Sequence, residues 1–232
     1  MKYTPVLKTY LERIESATKG KSLTAQRYAM EVRRMAGAVE ALERLAVSRN
    51  PKETEEFHAV KVAAAAKRLA ADVAKTNERL NNTFRDSVAI LDAQIRQQSG
   101  MIPNQYANEI RQALRSMNQK KRNEALQKAL KDGDSETLSA IQDAPEVVTG
   151  IQLEFRDQLV EGIRRQKAPE LYSEFENNSD SFSTALAALG SVNKAISEGF
   201  DPKKLAEIEA AETRHMEAQN ALNSSMVEPS NG

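Results

Sequence analysis

An all-α fold is what this 232-residue sequence predicts: an elongated helical bundle built on a long antiparallel helical hairpin, with a second cluster of shorter helices. Three observations carry that expectation. The chain is 40% hydrophobic but only 5% aromatic, so its core must be aliphatic, drawn chiefly from Ala and Leu, which favour helix. Apolar residues recur at steps of three and four over long stretches, the spacing that lines one helix face. Three of the seven prolines follow good capping residues, and four glycines sit where a helical pattern stops.

The pairs Thr4-Pro5, Asn50-Pro51 and Asp201-Pro202 each read as N-cap and first helical position, where a missing N–H goes unnoticed. Gly20, Gly100, Gly133 and Gly199 read as helix C-terminal residues needing positive φ. Between these marks the pattern predicts helices near 5–18, 22–47, 51–98, 104–131, 134–143, 149–177, 181–198 and 202–223.

In the second helix Ala25, Tyr28, Val32, Met35, Val39, Leu42 and Ala46 form a heptad seam, which needs a partner. The third supplies one. Val62, Ala66, Leu69, Val73, Thr76, Leu80, Phe84, Val88, Leu91 and Ile95 advance 33 residues in nine steps, about 3.7 per step, so this helix should run nearly straight for roughly 70 Å. The short link Ser48 to Lys52 makes the two antiparallel neighbours. The expected helix interface is therefore Tyr28, Val32, Met35, Val39 and Leu42 against Val62, Leu69, Val73, Leu80, Phe84, Val88, Leu91 and Ile95.

The middle of the chain changes character. Tyr106, Ile110, Leu114 and Met117 make a short stripe, SMNQKKRNE interrupts it near Asn118, and Leu126 with Leu130 resume it. Gly133 stops that helix, Asp134 caps a short one carrying Leu138 and Ile141, and Thr149 is expected to cap a longer one carrying Phe155, Leu159 and Ile163. The implied organisation is a hairpin over 1–99, a compact region over 100–178, acidic C-terminal helices over 179–223 and a flexible tail over 224–232.

Net charge is zero, yet residues 1–131 hold 25 Lys and Arg against 14 Asp and Glu, and residues 132–232 hold 8 against 19. Such a polar chain can fold its halves together, stack head to tail with its own copies, or offer its basic half to a polyanion. The absence of Cys excludes disulfides, thiolate metal sites and a Cys nucleophile. No N-terminal apolar run has signal-peptide length, and the run Val62 to Ala66 is bounded by Lys61 and Lys67, so no membrane span is expected.

Each chemical candidate has a plainer reading beside it. Asp132, Asp134, Glu136 and Asp143 imitate calcium-loop spacing, but Thr137 stands where the loop needs Gly, so they read as caps and dipole partners. Glu55-x-x-His58 and Glu212-x-x-His215 each put a carboxylate and an imidazole on one helix face, the spacing of ferritin-like di-metal sites, with Glu31, Glu40 and Glu43 as further donors. The first pair falls in the opening turns of its helix rather than in a protected middle, and a polar helix end or an interhelical contact is the plainer reading of the two. Arg111, Arg115, Lys120, Lys121 and Arg122 form a basic patch able to meet phosphates nonspecifically, without any sequence-reading motif. No phosphate loop, G-x-S-x-G elbow or H-E-x-x-H helix occurs. Accordingly no catalytic residue, metal ligand or cofactor is assigned. A nucleic-acid-associated accessory protein and a di-metal carboxylate protein stand as the alternatives.

The segment EALQKALKDGDSETLSAIQDAPEVVTGI, residues 124–151, resembles a segment of helical proteins of tailed bacteriophages and prophages. The shared texture is a helix ending in Gly133-Asp134, a short helix over Leu138 to Ile141, then Ala144-Pro145 and the small-residue turn Thr149-Gly150. The resemblance implies a non-enzymatic structural or assembly protein of the virion, scaffold or head-tail interior. Its partners would be its own copies, other virion proteins and, nonspecifically, DNA, in the virion or the host cytoplasm. It implies no small-molecule substrate.

Overall fold

The computed structural model describes residues 2–18, 22–102, 104–199 and 202–225. Among them the protein is all-α and contains no strand. The helices are α1 (Thr4–Thr18), α2 (Leu23–Val47), α3 (Glu55–Gln98), α4 (Ala107–Ser116), α5 (Gln119–Asp132), α6 (Ser135–Gln142), α7 (Glu146–Thr149), α8 (Leu153–Lys167), α9 (Pro169–Glu198) and α10 (Pro202–Ser225). They group into two compact units, Met1–Asn81 with Ser181–Gly232, and Asn82–Asp180. The divisions fall inside α3 and α9, whereas the sequence suggested boundaries near 99 and 178.

In the first unit α2 is the central element. Tyr28, Val32, Met35 and Val39 are fully buried and Leu42 nearly so, each contributing about 2 kcal/mol of hydrophobic stabilisation. Helix α1 lies antiparallel to α2. The Lys2 and Tyr3 N–H groups and the Thr4 hydroxyl donate to the Glu43 carboxylate at 2.6, 2.7 and 2.7 Å, and at the other end Arg33 pairs with Glu15 at 2.5 Å. The opening stretch of α3 is also antiparallel to α2, because Glu31 meets Arg79 while Arg34 meets Asp72. The closing stretch of α9 runs parallel to α2: Tyr28 packs on Phe182, ring centroids 5.9 Å apart, and Lys2 reaches Glu198 at 2.6 Å.

The second unit is the compact short-helix region. Met101, Leu114, Leu126, Leu138, Ile141, Ile151, Leu159 and Ile163 form one core. Local signals set its helix ends. Asn118 caps α5 by accepting from the Lys121 N–H at 3.0 Å, and Asp134 caps α6 by accepting from the Thr137 N–H at 3.0 Å. Gly133, at φ 70°, ends α5, and the Asp134 N–H returns 2.8 Å to the Ala129 carbonyl, closing the turn in the left-handed conformation that Gly tolerates best.

Several expected elements are corrected. Pro51 does not start α3: residues 51–53 form turn and bend, and Thr54 caps the helix through the Phe57 N–H at 3.2 Å. The stretch 104–131 is two helices, parted at Met117-Asn118 where the interruption was expected. The stretch 149–177 is not one helix. Thr149 is buried as the last residue of α7, Gly150 turns at φ 65°, and Ala168 leaves helical geometry before Pro169, which opens α9. Residues 177–181, NNSDS, are helix interior, so the expected helix 181–198 is the second part of α9. Gly100 and Gly133 have positive φ as expected, Gly199 does not, and Gly20 lies outside the described residues. So does most of the expected tail, from residue 226 onward.

Candidate functional site

The expected helix interface lies within the chain. Val62, Leu69, Val73 and Leu80 of α3 are at most 7% exposed, like the α2 seam they were expected to meet. Farther along, Leu91 and Ile95 are buried and Phe84 and Val88 half-buried in the second unit. A seam shielded by its own chain offers little surface to a second one. The hydroxyl of Thr76, a polar residue inside this stripe, accepts from Arg34 and Arg79 at 2.5 and 2.9 Å and donates to the Asp72 carbonyl at 2.8 Å.

Charged groups lock the α2–α3 pair. The Arg79 guanidinium, supported by Arg34, holds the Glu31 carboxyl below its ordinary range despite partial burial. At Glu43 burial pushes the other way, but donation from the Tyr3 N–H, the Thr4 hydroxyl and the Lys2 N–H prevails and lowers its pKa.

The basic patch is partly dismantled by the fold. Arg122 donates to the carbonyls of Leu114, Met117 and Thr149 at 3.1, 3.0 and 3.2 Å, and also to that of Gly150. It clamps the ends of α4 and α7, where carbonyls lack helical partners. Arg111 donates to the Ala140 carbonyl at 2.6 Å. Arg115, Lys120 and Lys121 remain exposed, three cations where the sequence offered five. Neither the clamp nor the Arg111 bond has a local sequence signal.

The acids at the charge reversal are engaged by protein groups: Asp132 with Lys128, Asp134 as cap of α6, and Asp143 within 3.6 Å of Arg96. Of the histidines, His58 is buried, with Nδ1 4.0 Å from Glu53, and His215 is exposed on α10. No group of three or more His, Asp or Glu side chains able to hold a metal ion occurs among the described residues. No described helix is long and apolar enough to cross a membrane.

What the sequence did not single out is α10 as an open surface. Of its described side chains only Ile208 is half-buried. The rest are exposed, including Met216 and Leu222 at 59%. A 24-residue helix gains little from propensity alone in water and ordinarily owes its stability to a buried face. A smaller open patch is formed at α7 by Val147, 79% exposed.

Comparison with protein-family models, curated proteins and solved structures yields no match for this chain.

Proposed function

We propose that this is a non-enzymatic helical structural or assembly protein, a phage virion, scaffold or internal head-tail component acting through helix–helix association. The observation that carries this reading is α10, a regular helix of 24 residues whose described face is almost wholly open. The α2 and α3 seams are covered inside the chain, so association falls to α10, packed against the same helix of another copy or against another virion protein. The likeness of residues 124–151 to phage helical proteins supports the setting.

Sedimentation of the full chain tests it, beside the double variant Met216→Asp, Leu222→Asp. Association of the full chain that rises with concentration, lost in the variant while helicity is kept, is the expected result. A full chain that stays monomeric at high concentration, and capsid, portal and tail genes missing from the neighbourhood of its coding sequence, would overturn the reading. Nucleic-acid association is the competing outcome and has its own signature, an affinity for duplex DNA that falls steeply with salt.

A further inference from the structure

In the second unit α5 and α8 border a groove of about 770 Å³. Gly162 lets the two helices approach: Leu130 of α5 lies against α8 there, and a Cβ on that glycine would meet the Leu130 Cδ1 at 3.0 Å. The floor is apolar, made by buried Leu159 and half-buried Leu130 and Phe155. Along the rim Gln127, Lys131 and Gln158 stand exposed, and the one rim acid, Asp132, is engaged by Lys128. The rim is therefore net positive, and α5 as a whole carries five Lys and Arg against two acids.

Helix α10 is complementary in pattern and in sign. Ile208, Ala211, His215, Ala218 and Leu222 follow at steps of three and four, the spacing that lines one helix face, and all but the half-buried Ile208 are exposed. Residues 205–225 hold four Glu and a single Arg. An acidic helix with an apolar seam suits a basic groove with an apolar floor: the seam supplies the buried area, and the opposed charges fix register and orientation.

We propose that the Ile208–Leu222 seam of α10 lies in the α5–α8 groove of a second copy of this chain. This rests on the reading of α10 as the associating helix and gives that helix a groove, rather than its own counterpart, to meet on the next copy. Because the two surfaces differ, the contact is heterologous: each added copy leaves one groove open at one end and one α10 at the other, so copies add in a row unless the row closes into a ring.

Sedimentation of the full chain beside two full-length variants tests this. One is Lys131→Glu with Gln158→Glu, which changes the groove; the other is Ala218→Asp with Leu222→Asp, which changes the seam. Each alone should associate at least tenfold more weakly than the unsubstituted chain, while an equimolar mixture forms a dimer and stops there, since one variant keeps the seam and the other the groove. If the groove variant associates as tightly as the unsubstituted chain, or the mixture gives no dimer, the proposal is overturned and α10 remains the associating helix through another contact. An unsubstituted chain that stays monomeric overturns both readings. Should either variant lose helicity, disulfide trapping decides, as the chain has no cysteine of its own. Gln158→Cys and Ala218→Cys chains oxidised together should yield the mixed dimer at least tenfold above either like pair, and comparable yields overturn the proposal.

Discussion

One guanidinium, that of Arg122, receives the loose carbonyls of two helix ends, those of Leu114 and Met117 at α4 and of Thr149 and Gly150 at α7. Arg122→Ala leaves these acceptors without their donor and is expected to lower the unfolding free energy by about 2 to 3 kcal/mol in urea titration. Arg122→Lys should recover less than half of that, since an ammonium cannot fan its donors across four oxygens. In the sequence this residue stands beside Lys120 and Lys121 and reads as part of a cationic face. Its role depends on carbonyls up to 28 residues away, a pairing that no local pattern announces. Glu31 yields a pH expectation. Its carboxyl sits below the ordinary 4.5 because Arg79 and Arg34 favour its charged form, so its contribution is complete above that value and fades as pH falls through the depressed folded value. Melting temperature followed from about pH 6 to about pH 3 should drop less steeply in Glu31→Gln than in the unsubstituted protein.

Among the elements, the α5–α6 joint was fully legible: Gly133 ends one helix and Asp134 caps the next, both by short-range chemistry. Asp134→Ala should destabilise by about 1 kcal/mol, measured by urea denaturation, with no change in how the chain associates. The α2 and α3 seams were legible too, through periodicity. The continuity of α9 was not, because NNSDS has the composition of a loop. Tertiary contacts override that weak local preference: Asn178 is buried and donates to Ser87 at 2.9 Å, and Ser181 and Thr184 are buried as well. Likewise, periodicity marked the apolar face of α3 but did not say whose chain would cover it. Leu80 is 2% exposed, so Leu80→Asp is expected to lower stability by more than about 3 kcal/mol, read by loss of helical circular dichroism on heating. The exposed Met216→Asp should leave the melting temperature of dilute protein nearly unchanged, which separates a folding surface from an associating one.

At the scale of the whole molecule, the division of charge along the chain is largely undone by folding. The unit formed by 1–81 and 181–232 holds 20 Lys and Arg against 17 Asp and Glu, and that formed by 82–180 holds 13 against 16. A surplus of eleven along the sequence becomes three on each unit, of opposite sign. Duplex DNA should therefore be released at about 0.15 M salt in a gel-shift experiment; retention there would favour the nucleic-acid reading. The cause is topological and invisible to composition: residues 181–232, with 4 Lys and Arg against 7 Asp and Glu, join 1–81, with 16 against 10, and the basic stretch 82–131 shares its unit with the acidic stretch 132–180. The dividing points have a practical consequence as well. They fall within the helices α3 and α9, so neither dividing point is a loop that a protease could nick or a natural place to clone one unit apart. Any attempt to express 82–180 alone cuts two helices mid-course, and the remainder becomes a molecule in two pieces that needs an artificial splice.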